Sequence, residues 1–343
     1  MKEFRELRRD RRTMAMLIAL PILLLVVFGY AASFDVTSIP TATLGPAAEQ
    51  VGDLLPDVFE VKTIDVSGTE DDARNLLRDG TVDVAITTDG RPAAAFVDGS
   101  GLFTAQAAVS VLGRADDIVE VEILYNPDLT TAWVLVPGIT GLILMFIGTV
   151  VTAIGLVRER ENGTLEQLAV MPLSPSSIIL GKIVPYFVVA SVDMLIVTIV
   201  GVLLFDVPFN GSVLLFGLGA ALFLFVVLGI GVFISTVSQN SGQAIQLAFF
   251  FLLPQILLSG MIFPLEAMPW GVRWISYFLP LTYYIKIALG VMLRDAGLDS
   301  LWPAYLVLTL MAAFVFVGAT MRFRRDLAPS QRTRSETVEG ASS

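Results

Sequence analysis

Long apolar runs with few or no charges recur along the chain at residues 14–34, 132–156, 178–205, 213–237, 244–263 and 303–321. A helix needs about 20 mostly apolar residues to cross a bilayer, so each run predicts a span. The first outlasts the apolar core of a cleaved leader, usually about 7–15 residues. It reads as an uncleaved anchor, with Pro21 a tolerated kink. Residues 274–293 are apolar too, but Pro280 and Lys286 interrupt them.

Residues 35–129 have a different pattern. Short alternating runs and small amphipathic runs predict an α/β domain. Strands are expected at 41–44, 59–66, 82–87, 93–97 and 119–124. Helices are expected at 46–55, with Pro46 at the first position, at 70–80, capped by Thr69, and at 102–112. From Asp35 to Asp128 there are 18 acidic and 5 basic residues, a net of −13. The adjacent pairs Asp71-Asp72 and Asp116-Asp117 lack the regular loop spacing of calcium ligands. Acids that solvate and cap helix starts account for them better.

Charge sets the number of spans. Lys and Arg near span ends favour the cytoplasmic side. Six basic residues precede the first span and five follow the last, including Arg322, Arg324 and Arg325. Both termini are therefore expected inside, which requires an even number of spans. Six fit, and residues 264–301 then form a re-entrant hairpin on the external side, marked by Pro264, Pro269 and Pro280. The expected fold is a membrane all-α bundle of six helices with a small external α/β domain and that hairpin. The divisions are a cytoplasmic N-terminus and first span (1–34), the external domain (35–129), spans two to six (130–321) and a cytoplasmic tail (322–343).

Overall composition narrows the chemistry. Hydrophobic residues make up 55% of the 343 positions and charged residues 16%, against about 25% charged in ordinary soluble domains. With no Cys and no His, disulfides, thiolate sites and the commonest general base and zinc ligand are excluded. The net charge of −10 argues against nucleic-acid binding.

The cytoplasmic connector at 158–173 carries the most information. It reads Arg158-Glu159-Arg160-Glu161-Asn162-Gly163-Thr164-Leu165-Glu166-Gln167-Leu168 and ends at Met171-Pro172-Leu173. Gly163 breaks one helix. Thr164 can cap a second, with Gln167 closing a capping box. On physical grounds it is either a solvated connector or a short amphipathic element that docks into a partner's groove.

This run, followed by Gly181-Lys182, resembles the corresponding loop of type-2 ABC exporter permeases (ABC-2 type). Other motifs follow in that family's order. Asn126-Pro127 with Val136-Pro137-Gly138 is similar to the start of its second span. Residues 78–86 and 96–100 resemble the external domain of its large-loop branch. Gly260-Met261-Ile262-Phe263-Pro264, Met268-Pro269 and Pro280-Leu281-Thr282-Tyr283 resemble its re-entrant hairpin. The likeness implies that 158–173 enters the cleft of a cytosolic ABC ATPase and transmits its motion. It also implies a second permease copy or a paralogue, a bilayer location and no catalytic residue. A periplasmic or extracellular accessory protein would suit the external domain. ATP and magnesium would bind the partner subunit. In keeping with this, the one Gly-Lys pair, Gly181-Lys182, has Ile183 after it and Ser176 where a P-loop needs glycine.

Asp193 lies mid-span, where an ionisable group is costly and often functional. It either lines a transport path or is a buried carboxyl hydrogen-bonded to another helix. The small residues of the 213–237 run, such as Gly219, Gly229 and Gly231, suit close helix packing. The expected function is an ATP-driven exporter permease. The alternative is an ion-coupled secondary transporter using Asp193, a class that often shows internal repeats; no repeat is visible here.

Overall fold

The computed structural model describes residues 36–89, 92–115, 119–162 and 175–327, with Ile22 and Leu25 as isolated helical positions. The rest of the expected first span and the tail beyond 327 lie outside the described residues.

Five strands form one sheet: β1 (Ile39–Leu44), β2 (Phe59–Asp65), β3 (Val84–Thr87), β4 (Ala93–Asp98) and β5 (Val119–Leu124). Their order is β2-β1-β3-β4-β5. All neighbours are parallel except β3 and β4, whose register pairs Val84 with Val97, Ala85 with Phe96 and Ile86 with Ala95. Side chains alternate across a strand, so this register sorts the apolar residues onto two faces. Val84, Ile86, Ala95 and Val97 pack with Ala105, Ala108 and Leu112 of α3 (Leu102–Leu112) and with Val51 of α1 (Ala48–Leu54). Ala85 and Phe96 pack with Ala73 and Leu77 of α2 (Glu70–Arg78) on the other face. The result is a three-layer α/β/α domain.

Local chemistry explains these helices. Thr69 and Asp72 form a capping box at α2: the Asp72 amide donates to Thr69 Oγ1 at 3.4 Å, and the Thr69 amide donates to Asp72 Oδ2 at 2.9 Å. The Thr69 amide and hydroxyl hold the Asp72 carboxyl below its ordinary range. Among the described residues no carboxylate group is arranged to hold a metal; Asp116 and Asp117 lie outside them. Pro46 is not the first helical residue. The chain turns at Gly45 (φ 92°) and α1 starts at Ala48, after Ala47.

The membrane part comprises α4 (Thr131–Glu161), α5 (Pro175–Phe205), α6 (Val213–Val237), α7 (Ser241–Leu258), α8 (Trp270–Ser276), α9 (Pro280–Met292) and α10 (Leu298–Leu327). Among the described residues, segments of α4, α5, α6, α7 and α10 are each long and apolar enough to cross a membrane, and α8 and α9 meet at 74°. The chain is thus a multi-pass membrane α-bundle with a small sheet domain. Helix α6 is central, and three of its glycines serve three neighbours. A Cβ at Gly219 would strike Ile287 of α9, one at Gly229 would strike Val315 of α10, and one at Gly231 would lie 2.9 Å from the Thr149 carbonyl oxygen of α4. Gly231 is therefore a packing residue inside α6. The turn between α6 and α7 is confined to 238–240. Helix α5 leaves Val188, Val192, Leu195, Ile196, Ile199 and Leu203 exposed, the composition of a lipid-facing surface.

The three hairpin prolines each start a helical piece. Pro264 precedes the short 3-10 turn Leu265–Ala267, Pro269 precedes α8, and Pro280 opens α9. Proline lacks an amide hydrogen and has a helix-ready φ, so it suits such starts. The next amide in α9, Leu281 N, donates to Oε1 of buried Gln255 on α7 at 3.3 Å. This fills one orphan donor of the helix end.

The sheet domain is bolted to the bundle. Buried Asn126 accepts from the Thr130 amide at 2.8 Å and donates to the carbonyls of Gly99 and Thr130, both at 3.2 Å. Arg294, between α9 and α10, reaches Asp98 at 3.3 Å. Ser300 donates to Asp79 at 2.7 Å. The Arg294 guanidinium occupies the space where Gly80 (φ 65°) would carry a Cβ.

Candidate functional site

Helix α4 does not stop where its apolar sequence does. It runs on to Glu161 and ends with Asn162 as its C-cap. Arg158 and Arg160 lie in its last turn, where cations complement the helix dipole. Near this end, Ala153 and Val157 of α4 pack with Ile234 of α6 and with Ala244 and Ala248 of α7. Three helices therefore share one core at this end.

Polar contacts close the same corner. Arg160 donates through Nη2 to the Ser238 carbonyl, just beyond α6. Glu161 accepts from Ser241, the first residue of α7: Oε1 from the amide and Oε2 from the hydroxyl, each at 3.2 Å. Asn240 caps α7 by accepting from the Gln243 amide at 2.9 Å, and Gln243 Oε1 accepts from the Gln239 amide at 3.0 Å. Glu161 and Asn240 both supply acceptors at the positive end of α7. The end of α4 is thus held against both α6 and α7.

Four of the sequence-predicted loop residues, Arg158, Glu159, Arg160 and Glu161, sit on this last turn. Arg158 is exposed and Arg160 half-buried. Gly163, Thr164, Glu166, Gln167 and Leu168 lie outside the described residues. Sequence reasoning missed the partner side of the corner, Ser238 to Ser241. The Ser-Gln-Asn-Ser run reads locally as a turn, and its contact with residues 78–80 positions away leaves no local signal.

Asp193 on α5 is half-buried, and its Oδ2 is enclosed with no hydrogen-bond partner among the described residues. It does not line the apolar groove between α5 and α6, which is built from Phe187, Met194, Thr198, Phe216 and Ala220.

A bundle of long apolar helices, with an α/β domain at one end and a charged three-helix corner at the other, defines a multi-pass membrane permease. The chain belongs to the ABC-2 family: the family described as "ABC-2 family transporter protein" matches residues 11–321. It is 30% identical to the "Probable multidrug ABC transporter permease YbhR" of Escherichia coli K12, over 95% of this chain and 97% of that protein. It is 28% identical to the "Probable multidrug ABC transporter permease YbhS" of the same strain, over 93% of each. A 59% share of the chain is 28% identical to "ABC transporter G family member 20" of Dictyostelium discoideum, covering 28% of that longer protein. The chain is accordingly an ABC permease, a transport component rather than an enzyme. These relatives lend no support to the ion-coupled alternative built on Asp193.

Proposed function

We propose that this permease exports a drug-like or lipid-like substrate, driven by a separate cytosolic ABC ATPase that binds ATP and magnesium. Two copies, or this chain with a paralogue, enclose the pathway. Six spans place both termini in the cytoplasm, residues 264–301 re-enter from outside, and the 35–129 domain stands on the external side, open to an accessory protein. The multidrug naming of YbhR and YbhS supports the substrate class.

The observation that carries this reading is the corner at Arg160 and Glu161. The coupling element, with Gly163, Thr164, Glu166, Gln167 and Leu168, leaves directly from it. Closure of the ATPase pushes that element, the end of α4 moves, and the shared core carries α6 and α7 with it. The tilt opens the pathway outward. Asp193 is the ionisable group in mid-span and lines that pathway.

The test is co-purification with a cytosolic ABC ATPase, followed by ATP hydrolysis and dye transport in proteoliposomes. Gly163→Pro and Glu166→Ala should leave the complex assembled and cut transport severalfold. Variants that assemble, hydrolyse and transport like the parent would refute the coupling role.

A further inference from the structure

A cavity of about 180 Å³ lies between the sheet domain and the membrane helices. That is room for several waters or for a small solute. Five charged side chains face it: Asp83 and Asp98 from the sheet domain, Glu266 from the hairpin, Lys286 from α9 and Arg294 behind it.

Four of the charges around it are already matched. Asp98 pairs with Arg294 at 3.3 Å, and Glu266 faces Arg273, just outside the cavity, at 3.7 Å. Asp83 and Lys286 remain. Among the described residues neither takes part in an ion pair or a side-chain hydrogen bond, so a carboxylate and an ammonium face one space without meeting. Asp83 is half-buried and Lys286 is exposed on the open side.

Two neutral groups lie buried behind the same wall. Ser259 and Thr282 are each 1% exposed, and their hydroxyl oxygens are buried with no hydrogen-bond partner among the described residues. Buried polar atoms left unpaired are costly and call for an explanation. Burial, together with the charges of Glu266 and Asp98, pushes the Asp83 carboxyl up to about 7. That marks a carboxylate short of countercharge, which an incoming ammonium would supply.

We propose that this cavity binds a small zwitterion, a primary ammonium joined by a short linker to a phosphate or carboxylate. The ammonium sits at Asp83 and the anion at Lys286. A simple cation would leave Lys286 unmatched, and a simple anion would leave Asp83 unmatched. A free metabolite and a lipid headgroup share this chemistry. The site stands apart from the transport reading, and its test reads binding alone.

The probe is O-phosphoethanolamine, titrated calorimetrically into the full chain in detergent, against ethylammonium and ethyl phosphate. The intact zwitterion should bind at least tenfold tighter than either half. Asp83→Asn should abolish that advantage over ethyl phosphate, and Lys286→Gln should abolish it over ethylammonium. Equal binding of halves and whole, no binding of the zwitterion, or unchanged binding in both variants would overturn the site. The comparison of halves uses only the parent, so it decides the matter even if a variant fails to fold. In nanodiscs, suppression of probe binding by phosphatidylethanolamine relative to phosphatidylglycerol supports the site with a headgroup as its ligand. Equal binding in both lipids supports it with a soluble zwitterion.

Discussion

Glu161 at the end of α4 holds Ser241 at the start of α7 through two 3.2 Å hydrogen bonds, one to the amide and one to the hydroxyl. The two residues are 80 positions apart. Their contact joins the segment leading to the coupling loop to the corner between two membrane helices. It is exposed, so its net stability is small, about 0.5–1.5 kcal/mol per hydrogen bond at most.

The proposed topology, with both termini in the cytoplasm, rests on the distribution of basic residues. A reporter active only outside the cytoplasm, fused after Ser343, should stay inactive, and a cytoplasmic reporter at the same place should be active. The reverse would mean an odd number of spans.

The bolt between the sheet domain and the bundle rests on Arg294. Its partner Asp98 has a side chain only 3% exposed. Arg294→Met leaves that carboxylate buried without its cation, a loss of the order of 3–5 kcal/mol. Thermal unfolding of the purified chain should show a large fall in midpoint. Adding Asp98→Asn should recover part of it, because the Ser100 amide still has an oxygen to bond, as it does now at 2.8 Å.

The fold of the sheet domain was largely legible in the sequence, and the reasons are local. Helix 102–112 and strand 119–124 coincide with α3 and β5, and the Thr69 cap appears as expected. Each depends on residues within a few positions of one another. Strand order was not legible, because the placing of antiparallel β3 and β4 inside a parallel sheet depends on pairings far apart in sequence. The same holds for Gln255 on Leu281 and for Arg294 on Asp98, which is 196 positions away. At the candidate site, the charged end of α4 was legible from its alternating signs. Its seat on Ser238 and Ser241 was not, since serine in a turn looks the same with or without a partner.

Asp83 makes the domain's stability depend on pH. Burial first, then Glu266 and Asp98, raise its folded pKa to about 7, against about 3.9 in an unfolded chain. The folded state therefore holds this proton more tightly. The stabilisation is fully present below about pH 4 and is lost as pH rises through 7. Relative to Asp83→Asn, the parent's unfolding midpoint should fall between pH 4 and 7 and then level off. Parallel curves would show that Asp83 is not desolvated.

Two glycines of α6 should respond in opposite ways to alanine. Gly231→Ala drives a methyl against the Thr149 carbonyl and the Thr152 side chain, an overpacking cost of about 1–3 kcal/mol. A methyl at Gly217 would meet nothing within 4 Å. Gly217→Ala should be neutral, or stabilising by up to about 1 kcal/mol from helix propensity. Thermal unfolding of the two variants side by side measures the difference.

The most direct test of the account is the ratio of substrate moved to ATP hydrolysed in proteoliposomes holding this permease and its ATPase. The double variant Arg160→Ala, Glu161→Ala cuts the α4 end from the α6–α7 corner and leaves residues 162–173 of the proposed coupling loop unchanged. The account predicts an assembled complex that still hydrolyses ATP but moves at least tenfold less substrate per ATP. An unchanged ratio would contradict it.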